Sequence, residues 1–243
     1  MTKKPANEPQ NVEPVKPAVG IVLEFEFMLF PGRQLMFEAF GSVLKHHQVS
    51  FDQIIFSRHC LNRTIEQSVQ SILAAVGKKG AAAADIAAKI KRQFESALKS
   101  AETAPSAALL GLLKKAVENN VKIGLLSFLP EEILKNITER LPADQISCLH
   151  VMKKESLDLP TPDGWLTLLK SMSVTPRRAI ALVEGALACK SVLAVGMRCV
   201  VIPNAFTAWQ DFVGADIVLE KSSDLKLNDL VALLTPSHFR GAK

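Results

Sequence analysis

Tyrosine is absent from this chain, only four cysteines occur in 243 residues, and no apolar run approaches the roughly 20 residues that span a bilayer. We have no physical account of the first absence. The cysteines, Cys60, Cys148, Cys189 and Cys199, include no pair at C-x-x-C spacing, and the last three lie in apolar runs. That argues against a zinc site or a disulfide framework and for buried, reduced thiols. Residues 1–17 contain no apolar segment of the kind a secretory signal needs, so a cytoplasmic setting is expected, with no membrane contact. No glycine-rich phosphate loop, Walker motif or nucleic-acid module occurs either. Nucleic-acid binding therefore rests on no motif, and it would show itself by a steep salt dependence.

What is present is an apolar chain, 48% hydrophobic against 22% charged. Such a composition buries a sizeable core and argues against global disorder. Residues 1–17, with four prolines, read as a flexible arm. Ala18 to Phe27 is a nearly continuous apolar run that reads as a buried parallel strand. From Arg33 to about Ala104, apolar residues recur at helical spacing, as in Leu35, Met36, Ala39, Phe40, Val43 and Leu44, with Gly77 to Gly80 as a turn. After Pro105 the pattern alternates. Helices are predicted over 106–119, from about 130, over 161–172, 186–195 and 225–234. Strands are predicted over 121–127, 146–151, 179–183, 198–202 and 216–219. The expected fold class is α/β, a Rossmann-like doubly wound parallel sheet interrupted after its first strand by an all-helical block.

Ligands of such sheets bind at the carboxyl ends of the strands. The first strand ends in Glu24-Phe25-Glu26-Phe27-Met28-Leu29, the second in Ser127, and a later one in Glu184-Gly185. Between them lies Leu159-Pro160-Thr161-Pro162-Asp163. Together with the texts of 160–169, 174–184 and 194–204, and with Asp211 to Asp216, this chain resembles the haloacid dehalogenase-like (HAD) hydrolases. The resemblance is to members with a helical cap inserted after the first strand, and it spans Val19 to about Leu234. It implies a core of 18–32 and 104–243 and a cap of 33–103.

The resemblance also assigns roles. Glu24 stands at the position of the aspartate nucleophile and Glu26 at that of the acid/base aspartate. Ser127 matches the phosphate-binding Ser or Thr. Phe27 replaces a glycine, Met28 a threonine, Leu159 the phosphate-neutralising lysine and Gly185 a metal-binding aspartate. Lys153 and Lys154 lie upstream of Leu159 in a poor register for replacing that lysine. Each Asp-to-Glu exchange moves an oxygen by about 1 Å, and misplacement on that scale costs on the order of 10²-fold in rate. The Phe27 ring is expected to fill the phosphate pocket. Glu24 and Glu184 alone make a thin ligand set for Mg²⁺. The expectation is a HAD-like pseudoenzyme with a binding, scaffolding or regulatory role and no cofactor. The alternative is a phosphatase or phosphomutase-like hydrolase acting on a small phosphorylated metabolite through Glu24 and Glu26 with Mg²⁺.

Two further features remain. Arg58, His59, Asn62 and Arg63 sit in the cap, where they could read a ligand or simply serve the surface and packing. From Lys78 to Ser100 there are six basic residues and two acidic ones. Such a run is usually a solvated helix face, and its sharper reading is an interaction protein that meets an anionic or acidic protein partner there. His46, His47, His150 and His238 have no sequence partners that suggest a triad.

Overall fold

The computed structural model describes residues 18–78, 82–139, 141, 148–151 and 160–234, with the backbone alone at 148–151. The 1–17 arm, Lys153, Lys154, Leu159 and His238 lie outside the described residues, as do the side chains of Cys148 and His150.

Six strands form one sheet: β1 (Val19–Glu24), β2 (Val121–Ser127), β3 (Cys148–Val151), β4 (Ala179–Val183), β5 (Arg198–Val201) and β6 (Ile217–Val218). Their order is β3-β2-β1-β4-β5-β6, and every pairing is parallel. The period-2 alternation of strand side chains separates two apolar layers. Ile21, Leu23, Ile123, Leu125, Ile180 and Leu182 face one layer. Val22, Leu126, Ala181 and Val183 face the other, where they meet Trp165 and Leu168. Both faces are covered, which is why these strands read as continuous apolar runs.

The helices are α1 (Gly32–His46), α2 (Gln53–His59), α3 (Ile65–Ala75), α4 (Ala83–Lys99), α5 (Ala107–Glu118), α6 (Glu131–Thr138), α7 (Pro162–Ser171), α8 (Ala186–Val195) and α9 (Leu227–Ala232). The first four form the helical block between β1 and α5, with α4 packed on α1 and α3. Helix α2 has no clean apolar period in the sequence. It is started by the Asp52 side chain, which accepts from the Ile55 N–H at 2.8 Å. Helix α3 starts with a reciprocal Thr64/Gln67 capping box.

One expectation needs correction. The first strand stops at Glu24, not Phe27, and Phe25–Leu29 form a π-helical turn. Apolar content alone does not distinguish the two, because the turn is as buried as the strand. Its geometry depends on Gly32. A Cβ there would fall on the Glu26 carbonyl oxygen and lie 2.9 Å from Cδ1 of Phe27. The first obstacle is backbone, which no rotamer change relieves. Gly32→Ala should therefore lower the unfolding free energy by about 1–3 kcal/mol, the usual cost of overpacking. Urea denaturation checks this, and an unchanged midpoint would refute the close approach.

Candidate functional site

The sheet order sets the carboxyl ends of β1, β2 and β4 side by side. Register pairs Glu24 with Leu126, one residue before Ser127, and Leu23 with Leu182, two residues before Glu184. Glu24, Glu26, Ser127 and Glu184 are thereby gathered, and all four are at most 2% exposed.

The π-helical turn swings Glu26 toward the end of β2. Its Oε1 accepts from the Ser127 hydroxyl, from the Phe128 N–H at 2.9 Å and from the Leu129 N–H at 3.2 Å. Leu129 N–H also donates to Ser127 Oγ at 3.1 Å. The other oxygen, Oε2, is buried without a hydrogen-bond partner. Burial pushes the Glu26 carboxyl up to about 7, against the opposing pull of Ser127 and the backbone N–H groups.

The second feature is Arg33, in the first turn of α1. Its Nε lies 3.4 Å from Glu184 Oε2, and its guanidinium carbon sits 4.0 Å from the centroid of the Phe27 ring. Burial raises Glu184 to about 7, with Arg33 pulling it down and Glu24 pushing it up. Burial also raises Glu24, opposed by Arg33 and by the Glu184 N–H, which donates to Glu24 Oε2 at 3.3 Å. Sequence reasoning missed Arg33. The signal available was three acidic residues at buried strand ends with no cation assigned to them.

A cavity of about 90 Å³ opens above these residues, between the strand ends and the helical block. One water needs about 10–15 Å³ of such space, so the cavity admits roughly half a dozen waters or one small ligand group. Glu24, Glu26, Phe27 and Gly185 line it from below, and Asn62, Arg63 and Lys91 from the helical side. Phe27 does not fill it, contrary to expectation: the ring is a wall, held by Arg33 on its face and by Phe128, 6.3 Å away between centroids. Met28 turns into the apolar core.

The cap residues separate. Asn62 and Arg63 line the cavity, whereas Arg58 and His59 do not. Arg58 borders a shallow surface depression with Ile54 and Trp209. His59 Nδ1 is 2.8 Å from Ser71 Oγ, and its pKa is lowered by burial and by Arg63 and Arg58. The basic run divides as well. Lys91 lines the cavity, while Lys89 and Arg92 face an open groove on the other side of α4.

Mg²⁺ needs near-octahedral oxygen ligation. Glu184 is already paired with Arg33, Gly185 offers no side chain, and one Glu26 oxygen is committed to Ser127 and two N–H groups. Among the described residues no group of three or more His, Cys, Asp or Glu could hold a metal ion. This donor set does not fit Mg²⁺. Cys60, Cys189 and Cys199 are free and buried. Among the described residues no helix is long and apolar enough to cross a membrane.

No protein-family model matches the chain. Protein CbbY of Cereibacter sphaeroides is 33% identical over 66 residues, 27% of this chain and 29% of that protein, so the match spans under a third of the curated relative. A CbbY mutant from Rhodobacter sphaeroides, solved with xylulose-(1,5)bisphosphate, superposes with a TM-score of 0.74 at 19% identity, covering 88% of this chain and 99% of that one. A HAD hydrolase of family IA, variant 3, from Entamoeba histolytica gives 0.71 at 14% identity, over 89% and 99%. The chain has the HAD-like fold. Within that fold, Glu24, Ser127 and Glu184 meet at the strand ends, Glu26 joins them from the π-helical turn, and Phe27 and Gly185 border the same cavity. Gly185 leaves ordinary space, with a built Cβ 3.5 Å from Gln210 Oε1. That Gln210 oxygen accepts the first N–H of α8, from Ala186, at 2.7 Å. Gln210 thus caps a helix start that Gly185 cannot cap.

Proposed function

We propose that this chain is a HAD-fold pseudoenzyme, which uses its cleft for binding, in a scaffolding or regulatory role, rather than for phosphoester hydrolysis. One observation supports this above the others. The Arg33 guanidinium is ion-paired with Glu184 at the mouth of the acidic cluster, 3.4 Å from its carboxylate. A cation belonging to the chain thus pairs with a carboxylate that a catalytic metal would use. Phosphoryl transfer depends on positioning and on charge stabilisation, so a carboxylate withheld from the metal works against the reaction. The unlinked, buried thiols fit a reducing compartment such as the cytoplasm.

A second reading is favoured by Glu24, whose carboxyl still lines the cavity. In that reading the chain is a phosphatase or phosphomutase-like hydrolase of a small phosphorylated metabolite. Phosphate release from a panel of phosphate monoesters, with and without Mg²⁺, separates the two. We expect the wild-type protein and Glu24→Gln to release phosphate at the same background rate. Turnover that Glu24→Gln abolishes would overturn the binding reading and establish the hydrolase.

A further inference from the structure

The cavity above the strand ends is walled chiefly by rings and apolar chains, among them Phe27, Met36, Phe40, Phe94, Phe128 and Leu187. Many of the polar groups beside them are already engaged within the chain. Thr64 Oγ1 accepts from the Gln67 N–H at 3.1 Å, and Ser68 Oγ donates to the Thr64 carbonyl at 2.7 Å. Arg33 is paired with Glu184 and lies over the Phe27 ring. Glu24 and Glu26 are each 1% exposed. Asn62, Lys91 and Glu95, on the helical side, keep polar atoms for a ligand. We infer that the cleft takes a compact ligand built on an aromatic ring with one polar substituent, and not a polyhydroxylated phosphate.

Size, wall chemistry and the placement of polar atoms agree on this ligand class. The space of about 90 Å³ holds roughly half a dozen non-hydrogen atoms at the volume each water takes, which is one six-membered ring. On the core side Phe27 and Phe128 form a ring pair, 6.3 Å between centroids and inclined at 40°. Phe94 lines the same space from α4. Rings gain from edge-to-face and offset contacts with other rings beyond the area they bury, and a thioether such as that of Met36 adds to this. Lys91, Phe94 and Glu95 stand at i, i+3 and i+4 on α4, hence on one side of that helix. A ring resting on Phe94 therefore has charged partners for a single substituent next to it. A polyol has no such fit. Each hydroxyl turned toward a phenyl wall gives up its water without gaining a partner, and that cost is repeated for every hydroxyl.

This ligand class rests on the binding reading of the cleft, but its test is separate. Equilibrium binding of phenol involves no turnover, so a cleft that also hydrolysed phosphate monoesters would leave the phenol result standing. Methyl proton–carbon spectra of the whole chain are followed during titration with three probes. These are phenol, cyclohexanol, which has the same heavy atoms without the π system, and glycerol 3-phosphate. Phenol is expected to bind in the millimolar range and to shift the Met36 methyl resonance through its ring current. Its affinity should exceed that of cyclohexanol by about threefold and that of glycerol 3-phosphate by on the order of tenfold. Leu187→Trp adds a ring to the wall and should abolish phenol binding. Phe128→Leu keeps an apolar wall with one ring fewer; it should weaken phenol by about threefold and leave cyclohexanol unchanged. The absence of phenol binding in the millimolar range would overturn the proposal. So would cyclohexanol or glycerol 3-phosphate binding at least as tightly as phenol, or phenol binding that both variants leave unaltered.

Discussion

Stability is expected to rise as the pH is lowered from 8 to about 5.5. An ordinary glutamate titrates near 4.5, whereas Glu26 and Glu184 titrate near 7 in the folded protein. Between these values the native state holds protons that the unfolded chain has released, so unfolding releases protons. The linked stability is fully present below about 4.5 and is lost as the pH rises through 7. At 1.36 kcal/mol per unit, the step from pH 8 to 5.5 is worth on the order of 2 kcal/mol for each carboxyl. Glu24, also raised by burial, acts in the same direction. Urea midpoints at pH 5.5, 6.5 and 8 measure it. A midpoint that is flat or climbs with pH would show that these carboxyls are ionised at little cost. Glu26→Gln should flatten the profile in part, since one titrating group is then gone.

Replacing Arg33 with Met should produce the other large effect. The substitution keeps the aliphatic stem and removes the only cation within ion-pairing distance of Glu184 among the described residues. Breaking a buried pair while leaving one charge behind costs about 3–5 kcal/mol. Glu184 titrates near 7 and can take up a proton instead of staying charged, and the Arg33 side chain is 17% exposed, so the expected loss at pH 8 falls below that range, at about 1–2 kcal/mol. The Phe27 contact disappears with it. Glu184 should then titrate higher still, and the pH profile should steepen. Adding Glu184→Gln to Arg33→Met should recover most of the loss, and this double-mutant cycle separates the pair from the stacking on Phe27. A loss below 1 kcal/mol would mean that the guanidinium and the carboxylate act independently.

These effects depend on details that the sequence reveals unevenly. Strands β2 and β4 and helix α8 have the limits read from apolar runs and their flanking residues, since burial on both faces of a parallel sheet leaves an unbroken run. The convergence of Glu24, Ser127 and Glu184 was legible too, because strand ends in such a sheet share one edge. The turn at Phe25–Leu29 was not, as its residues are as apolar as a strand. The hydrogen-bond donors of Phe128 and Leu129 are backbone groups, to which side-chain identity gives no clue. Arg33 and Gln210 reach the site from the start of α1 and from the segment after β5. Their roles depend on tertiary placement, not on spacing. Periodicity puts Lys89, Lys91 and Arg92 on a helix, but the packing of that helix decides that Lys91 faces the cavity and the other two face away.

The Arg33–Glu184 pair has a consequence for how the cleft responds to its surroundings. A dissolved counter-ion is present in proportion to its concentration and exchanges with the solvent. A guanidinium tethered to α1 is present at a fixed stoichiometry of one, whatever the medium contains. The electrostatic state of the acidic cluster therefore depends on proton activity and on the position of α1. A ligand that draws α1 away from the sheet would change the charge of the cluster by a full unit.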